Sequence, residues 1–388
     1  MTCIRGHIIE LTPNNTQATY FKKACGIARF AYNWALGQWQ KQYEQDKLYR
    51  DECLAKNIAI DETKLHKPTQ GKLRKQLNSI KRQQFPFMLE VTKCSPQLAI
   101  MQLGDAFKRF FKGESKYPQF RKKGVNDRFS LSNDQFKLKQ VKDKPFIQIP
   151  NLGLVRMREK LRFDGKILSA KVFTKGGKWF VSVAVELSKT TKPLPKTNKS
   201  VGIDLGITDL ATLSDGTKIQ APKPLKNKLK KLQRLSKSLS RKQKGSNNRE
   251  KAKTKLSRLH DKISNIRKDF LHKLTTDLVK KFDVICLENL NIKGMVQNRK
   301  LSRAISDLGF YEFKRQLIYK ANQWGKAIKS VDRFYPSSKT CHHCQHKVDD
   351  LPLSVRYWQC PSCNTMHDRD VNASINILNK ADKVLTLS

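Results

Sequence analysis

The sequence predicts a multidomain α+β chain, and three observations carry that prediction. Period-two alternation over 128–188, with a further strand at 4–11, frames a helical pattern that fills 16–125. A Lys-, Pro-, Ser- and Thr-rich connection at 188–200 (SKTTKPLPKTNKS) then marks the best domain boundary in the chain. Beyond it, short strands alternate with long helical patterns and end in two Cys-x-x-Cys pairs and a final helix.

The N-terminal strand IRGHIIEL is broken by Thr12-Pro13. Tyr20, Ala24, Ile27, Ala28, Ala31, Ala35 and Leu36 then recur at helical spacing, with Lys22, Lys23 and Arg29 off the stripe. Further helical patterns cover 72–84 and 95–111. At 107–124 (FKRFFKGESKYPQFRKKG) aromatic residues alternate with cations. Rings can stack on bases while Arg109, Lys112, Arg121, Lys122 and Lys123 follow phosphates, although a helix end with core Phe and solvated Lys gives the same pattern. Strand-like segments follow at 146–150, 153–158, 167–177 and 178–187, the last two joined by a Lys-Gly-Gly-Lys turn. With the first strand they predict a small barrel interrupted by the helical insert.

In the second half, VGIDLG (201–206) puts Val201, Ile203 and Leu205 on one strand face and Gly202, Asp204 and Gly206 on the other. Glycines flanking a carboxylate suggest space cleared for something large. Between Lys223 and Lys273 there are nineteen Lys or Arg and three acids. Leucine and isoleucine stripes on either side of Gly245-Ser246-Asn247-Asn248 predict two antiparallel basic helices, and Arg234, Arg241, Lys242 and Arg249 are candidate phosphate contacts. DVICLENLNIKG (283–294) reads as a buried strand ending at Glu288, followed by a helix at 310–325 and a strand at 327–332. The carboxyl end of a buried strand is where α/β sheets tend to hold active-site residues.

Charge bounds the function. Lys and Arg number 78 against 33 Asp and Glu, a net +45, and a folded chain with this excess requires a polyanionic partner, nucleic acid above all. No eighteen-residue apolar run is present, and the N-terminus lacks a signal-peptide core, so the expected location is cytoplasmic or nuclear, and cytoplasmic in a prokaryote. Five of the nine cysteines (Cys3, Cys25, Cys53, Cys94 and Cys286) are scattered in apolar surroundings, as buried thiols in a reducing compartment would be.

The other four, Cys341/Cys344 and Cys360/Cys363, are pairs fifteen residues apart, the pattern of a four-thiolate structural zinc site with no open coordination position. His342, His343, His346 and His367 are surplus to that count and are read as surface or nucleic-acid contacts. Asp370 starts the last helical stripe, with Asp368 as its N-cap. Asp204, Glu288 and Asp370, if they converge, could hold two Mg²⁺ ions about 4 Å apart across a scissile phosphate.

GIDLG, LENL, YPSSKTC and HDRDVNASINI together resemble the TnpB proteins encoded by insertion sequences, relatives of compact type V CRISPR effectors. The resemblance extends to the FFKG…YPQFRKKG stretch and the basic hairpin. It implies a RuvC-like nuclease of RNase H fold (201–333 and 364–388, with the basic hairpin at 222–280) holding a zinc domain at 334–363. It also implies a wedge-type β-barrel (1–15 and 126–190), a helical recognition lobe (16–125) and a linker at 191–200. Asp204, Glu288 and Asp370 match the family's metal-binding triad. The implied activity is Mg²⁺-dependent cleavage of double-stranded DNA directed by a guide RNA from the transposon end and by a short target-adjacent motif; the sequence leaves the oligomeric state open, with a monomer favoured. One departure is Asn-Ala-Ser-Ile-Asn (372–376), where a second Ala is common. The alternatives are a transposase acting directly on transposon ends, against which the chain shows no Tyr-nucleophile motif with paired histidines, and a nucleic-acid-binding regulator without cleavage.

Overall fold

The computed structural model describes residues 3–187 and 193–381, and the backbone of 386–387. The chain forms two compact units, Met1–Thr190 and Thr191–Ser388, and the residues at the division (188–192) lie outside those described.

In the first unit, β1 (Ile4–Leu11) leads to α1 (Asn15–Ala55), a continuous helix of 41 residues. Its start is fixed by a capping box, in which Asn14 Oδ1 accepts from Gln17 N and Gln17 Oε1 accepts from Asn14 N. The seven-residue stripe from Tyr20 to Leu36 is buried throughout, and Phe21 packs against Phe129 and Trp179. The helices α2 (Gln70–Gln84) and α3 (Cys94–Phe111) complete the helical part.

The strands are β2 (Arg128–Ser132), β3 (Lys137–Val141), β4 (Lys144–Ile149), β5 (Gly153–Arg156), β6 (Gly165–Lys175) and β7 (Lys178–Leu187). They form two antiparallel sheets, β1-β7-β6-β2 and β3-β4-β5. The β6–β7 hairpin turns on Gly176 and Gly177, both at positive φ, as a two-residue hairpin turn of this hand requires. At one edge the sheets are joined where Thr12 N donates to Arg156 O and Arg158 N to Glu10 O. At the other, β2 passes into β3 through a single 3₁₀ turn. One apolar cluster spans helices and strands of this unit.

The second unit is built on a six-stranded sheet. Its strands are β8 (Ser200–Asp204), β9 (Ala211–Leu213), β10 (Lys218–Ile219), β11 (Val284–Glu288), β12 (Ala327–Val331) and, after the short zinc-region strands β13 (Tyr357–Gln359) and β14 (Met366–Asp368), β15 (Thr386–Leu387). The order is β10-β9-β8-β11-β12-β15, with β8, β11 and β12 parallel and the flanking pairs antiparallel. The helices are α4 (Pro224–Ser240), α5 (Asn247–Lys281), α6 (Ile292–Gln297), α7 (Ser302–Leu308), α8 (Phe310–Trp324) and α9 (Arg369–Ala381). The sequence pattern does not predict α6 and α7, whose few residues give too short a window for periodicity to register.

Alternation along β8 and β11 divides the sheet cleanly. Val201, Ile203, Ile285 and Leu287 face one side, where α5 and α8 supply Leu271, Leu278, Phe313 and Leu317. Cys286 and Val331 face the other, under Ile377 and Ala381 of α9. The connection at 193–199 is tied to this unit, because Asp283 accepts from Thr197 N and Asn198 N and pairs with buried Lys326. Cys25, Cys53, Cys94 and Cys286 are buried thiols. Among the described residues, no helix is long and apolar enough to cross a membrane.

Candidate active site

Asp204 and Glu288 end neighbouring parallel strands, β8 and β11. By alternation both belong to the face that α9 covers, since Gly202 and Cys286 lie two residues before them. Asp370 sits in the first turn of α9, which packs across β8. Asp368 caps that helix as expected, accepting from Asp370 N and Val371 N at 3.1 Å each.

Acids from three separate parts of the chain thus lie toward the carboxyl ends of two strands, where the charges of Asp370 and Glu288 act on Asp204. Burial first, then the charges of Asp370 and Glu288, push the Asp204 carboxyl up from 3.8 to about 7. Burial alone raises Glu288. Like charges gathered in a desolvated site are unstable unless a proton or a cation joins them. The donor set is all carboxylate oxygen, which fits Mg²⁺.

Gly202 shows what approaches the strand at this point. A Cβ there would lie 2.0 Å from the Ser374 carbonyl oxygen and 2.8 Å from Leu378 N. What the glycine makes room for is the α9 backbone. The close approach is what brings Asp370 over β8.

Several contacts here had no sequence signal. Arg356, from the zinc region, reaches to 3.4 Å from Asp370 Oδ1. Lys218 pairs with Asp368 at 2.7 Å. Lys314 Nζ lies 3.2 Å from Asn289 Oδ1, next to Glu288. Only the fold brings these partners together across up to 150 residues of chain.

Cys341, Cys344, Cys360 and Cys363 converge with their sulfurs all within 4.8 Å of one another. The Cys341–Cys363 and Cys344–Cys360 sulfur distances are both 3.6 Å. A disulfide needs about 2.0 Å, whereas sulfurs tetrahedral about zinc at about 2.3 Å lie roughly 3.8 Å apart. The cluster therefore has the geometry of a zinc site. Hydrogen bonds from Thr365 pull the Cys363 thiol down to about 5, which favours the thiolate a metal binds.

His367 departs from the surface role expected of it. It is 2 % exposed, its Nε2 lies 3.1 Å from Cys341 Sγ, and its ring packs on Trp358 and His342. It supports a cysteine from behind. His342 Nδ1 lies 3.0 Å from Asn372 Oδ1, while His343 and His346 are exposed.

The zinc region is fastened to α9 by two amides one turn apart. Asn372 accepts from His342 N and donates to Thr340 O, and Asn376 donates to Ser337 O and Thr340 O. The two asparagines of Asn-Ala-Ser-Ile-Asn are buried clamps, and Ser374 between them returns its hydroxyl to Val371 O.

The proposed nucleic-acid contacts divide by environment. Arg109, Lys112, Lys122 and Lys123 are exposed, as are Arg234 and Arg241, while Lys242 is half-buried. Arg121 stacks 3.7 Å over the Tyr32 ring and donates to Gln102, and burial lowers its guanidinium to about 10. Arg249 donates to Leu239 O and Lys242 O, closing the bend between α4 and α5 on the carbonyls that end α4. In the aromatic stretch, Phe107 is core and stacks on Trp39, while Phe111 and Phe120 are exposed.

Comparison with known proteins decides the family. A Streptomyces pristinaespiralis protein named "Putative RNA-guided DNA endonuclease" is 35% identical over 94% of this chain and 86% of its own length. The chain belongs to the TnpB family. An Escherichia coli protein named "Putative RNA-guided DNA endonuclease InsQ" is 32% identical over 97% of the chain and 92% of its own length. Family profiles match at 181–299 ("Probable transposase"), 310–377 (Cas12f1-like TNB domain) and 1–47 (helix-turn-helix domain). The last label does not describe this TnpB chain, in which α1 runs unbroken from Asn15 after a strand. Among solved structures, the Cas12f1-sgRNA-target DNA complex aligns over 99% of this chain and 100% of its own, with a TM-score of 0.54 at 13% identity, a likeness of fold.

Proposed function

We propose that this TnpB-family chain is an RNA-guided DNA endonuclease that hydrolyses phosphodiesters at Asp204, Glu288 and Asp370. The observation that carries the reading is the state of Asp204, raised to about 7 by burial and by the charges of Asp370 and Glu288. The names of the relatives, which span nearly the whole chain, support guidance by RNA and action on DNA.

The second unit is a RuvC-like nuclease of RNase H fold, interrupted at 334–363 by a zinc domain. A mixed sheet with acids at the ends of adjacent parallel strands, and a third acid on the covering helix, supports this assignment. The first unit is a wedge-type barrel (1–15 and 126–190) with the helical lobe 16–125 inserted between its first two strands. In the nuclease, Asp204, Glu288 and Asp370 would hold two Mg²⁺ ions. Bound there, the ions supply an activated water and neutralise charge on the leaving 3′ oxygen.

The chain's own part is positional. Gly202 lets α9 settle close enough for Asp370 to meet Asp204, Asp368 fixes the first turn of α9, and Arg356 holds Asp370 from the zinc side. The cysteines hold zinc as a structural ion. Exposed cations on α3, α4 and the 112–123 loop follow the phosphates of guide RNA and target.

The test uses protein purified with its RNA and a duplex matched to that RNA, with Mg²⁺. Cleavage by wild type that depends on RNA, and its loss in Asp204→Ala with RNA still bound, is the expected result. Undiminished cleavage by Asp204→Ala overturns the triad, and cleavage of transposon ends without RNA favours a transposase.

A further inference from the structure

A cavity of about 590 Å³ opens in the second unit between the loop that follows Asp204, the start of α4, and α7 with the turn before it. Five cations line it: Lys223, Lys226, Arg299, Lys300 and Arg303. The single acid in its wall, Asp307, is already satisfied. Its carboxylate accepts from Leu225 N at 3.0 Å and Lys226 N at 2.9 Å, and it pairs with Arg267 at 3.1 Å. Among the described residues, none of the five cations forms an ion pair. Lys226, Arg299, Lys300 and Arg303 are exposed, while Lys223 donates to the Thr208 carbonyl at 2.9 Å.

The geometry around Lys223 is specific. Its φ of +42° lies in the left-handed region, which a residue with a Cβ rarely adopts. That conformation starts α4 and allows its ammonium to hold the loop leading away from Asp204. Apolar wall residues, Ile207, Ala304 and Leu308, complete the cavity beside the cations.

This combination matches one ligand chemistry, a nucleotide within a strand, with its phosphates on the cations and its base or sugar on the apolar patch. Ile207 is three residues from Asp204, so their Cα atoms are at most about 10 Å apart. That is about the rise of three stacked nucleotides. We propose that this cavity binds the scissile DNA strand next to the point of hydrolysis, holding it in single-stranded form beside the carboxyl ends of the strands. The proposal rests on the nuclease reading for the word scissile, while the binding itself can be measured without cleavage.

The experiment compares three full-length proteins carrying their co-purified RNA: wild type, the double variant Lys226→Gln/Arg303→Gln, and a control, Lys199→Gln/Lys280→Gln. The control removes the same charge from exposed positions of the same unit outside the cavity. Affinity for a labelled single-stranded DNA oligonucleotide unrelated to the RNA is measured in EDTA across a salt series. Two lost phosphate contacts should reduce the slope of log K against log salt by about 1.4. The control should change it by a few tenths at most, with thermal midpoints and RNA content alike in all three.

Cleavage in Mg²⁺ by the cavity variant should fall at least tenfold at physiological salt and recover at low salt. Equal slopes for the cavity and control variants would overturn the site. If wild type does not cleave but the slopes differ as stated, the nuclease reading fails and the strand-binding cavity stands. If wild type cleaves and the slopes are equal, the reverse holds.

Discussion

Asp204→Asn separates the chemistry of the carboxylate cluster from its burden on the fold. Burial and two neighbouring acids raise the Asp204 carboxyl from 3.8 to about 7. Between those values the folded state holds a proton that the unfolded state has released. Wild-type stability therefore falls as pH rises through this window and levels off above about 7. At about 1.36 kcal/mol per pH unit the loss reaches up to about 4 kcal/mol. Asparagine has nearly the same shape and cannot ionise. In EDTA at pH 8 the variant should be more stable by about 2–4 kcal/mol, or roughly 4–16 °C in the midpoint of a unit this size. Near pH 4 the two proteins should unfold together, and millimolar Mg²⁺ should raise the wild-type midpoint while leaving the variant almost unmoved. Differential scanning fluorimetry over a pH series reads all of this, and a cleavage assay should find the stabilised variant inactive. If the Asp204→Asn protein is no more stable than wild type at pH 8, or has the same pH profile, Asp204 is not held buried beside like charges as described.

Three further substitutions probe the supports of the site. Gly202→Ala places a methyl group 2.0 Å from the Ser374 carbonyl oxygen, so α9 must lift; cleavage should fall at least a hundredfold while RNA remains bound, and near-normal cleavage would show that the close approach is dispensable. Asn376→Ala removes two buried hydrogen bonds to Ser337 O and Thr340 O and should cost about 2–4 kcal/mol by chemical denaturation. A loss under about 0.5 kcal/mol would mean the clamp is idle. Cys360→Ser should lower bound zinc from one equivalent to well below half by elemental analysis and open the exposed Leu353 region to protease, and full zinc retention would remove Cys360 from the ligand set.

What could be read from the sequence followed from periodicity and ligand spacing. The stripe from Tyr20 to Leu36, the hairpin at Gly176-Gly177 and the four cysteines each depend on residues close in sequence, whose geometry the chain itself determines. Asp204, Glu288 and Asp370 were legible as candidates because strand ends and a helix start are local features. Their proximity was not, since it arises from parallel pairing of β8 with β11 and from α9 crossing β8. Gly202 is legible only in part for the same reason: glycine announces that something comes close but does not say what. His367 was misread because the knuckle has its own small core of Trp358, Leu351 and two cysteines, too few residues to announce burial. Arg121 and Arg249 look like any other cations in a basic stretch until Tyr32 and the α4 carbonyls are beside them.

The asparagine clamp on α9 determines how this protein could be taken apart by an engineer. A transplant cut at the ends of the zinc region (334–363) would move Ser337 and Thr340 with the chelating turns but leave Asn372 and Asn376 behind, facing carbonyls that the new loop need not offer in the same place. Each unmatched amide is a buried polar group without a partner, which costs about 1–3 kcal/mol. The exchangeable cassette therefore begins at Tyr335 and runs through Asn376, taking the first two turns of α9 with it. Because that cassette includes Asp370, a swap of zinc regions between relatives exchanges one of the three carboxylates as well, and the junctions belong in β12 and the last turn of α9.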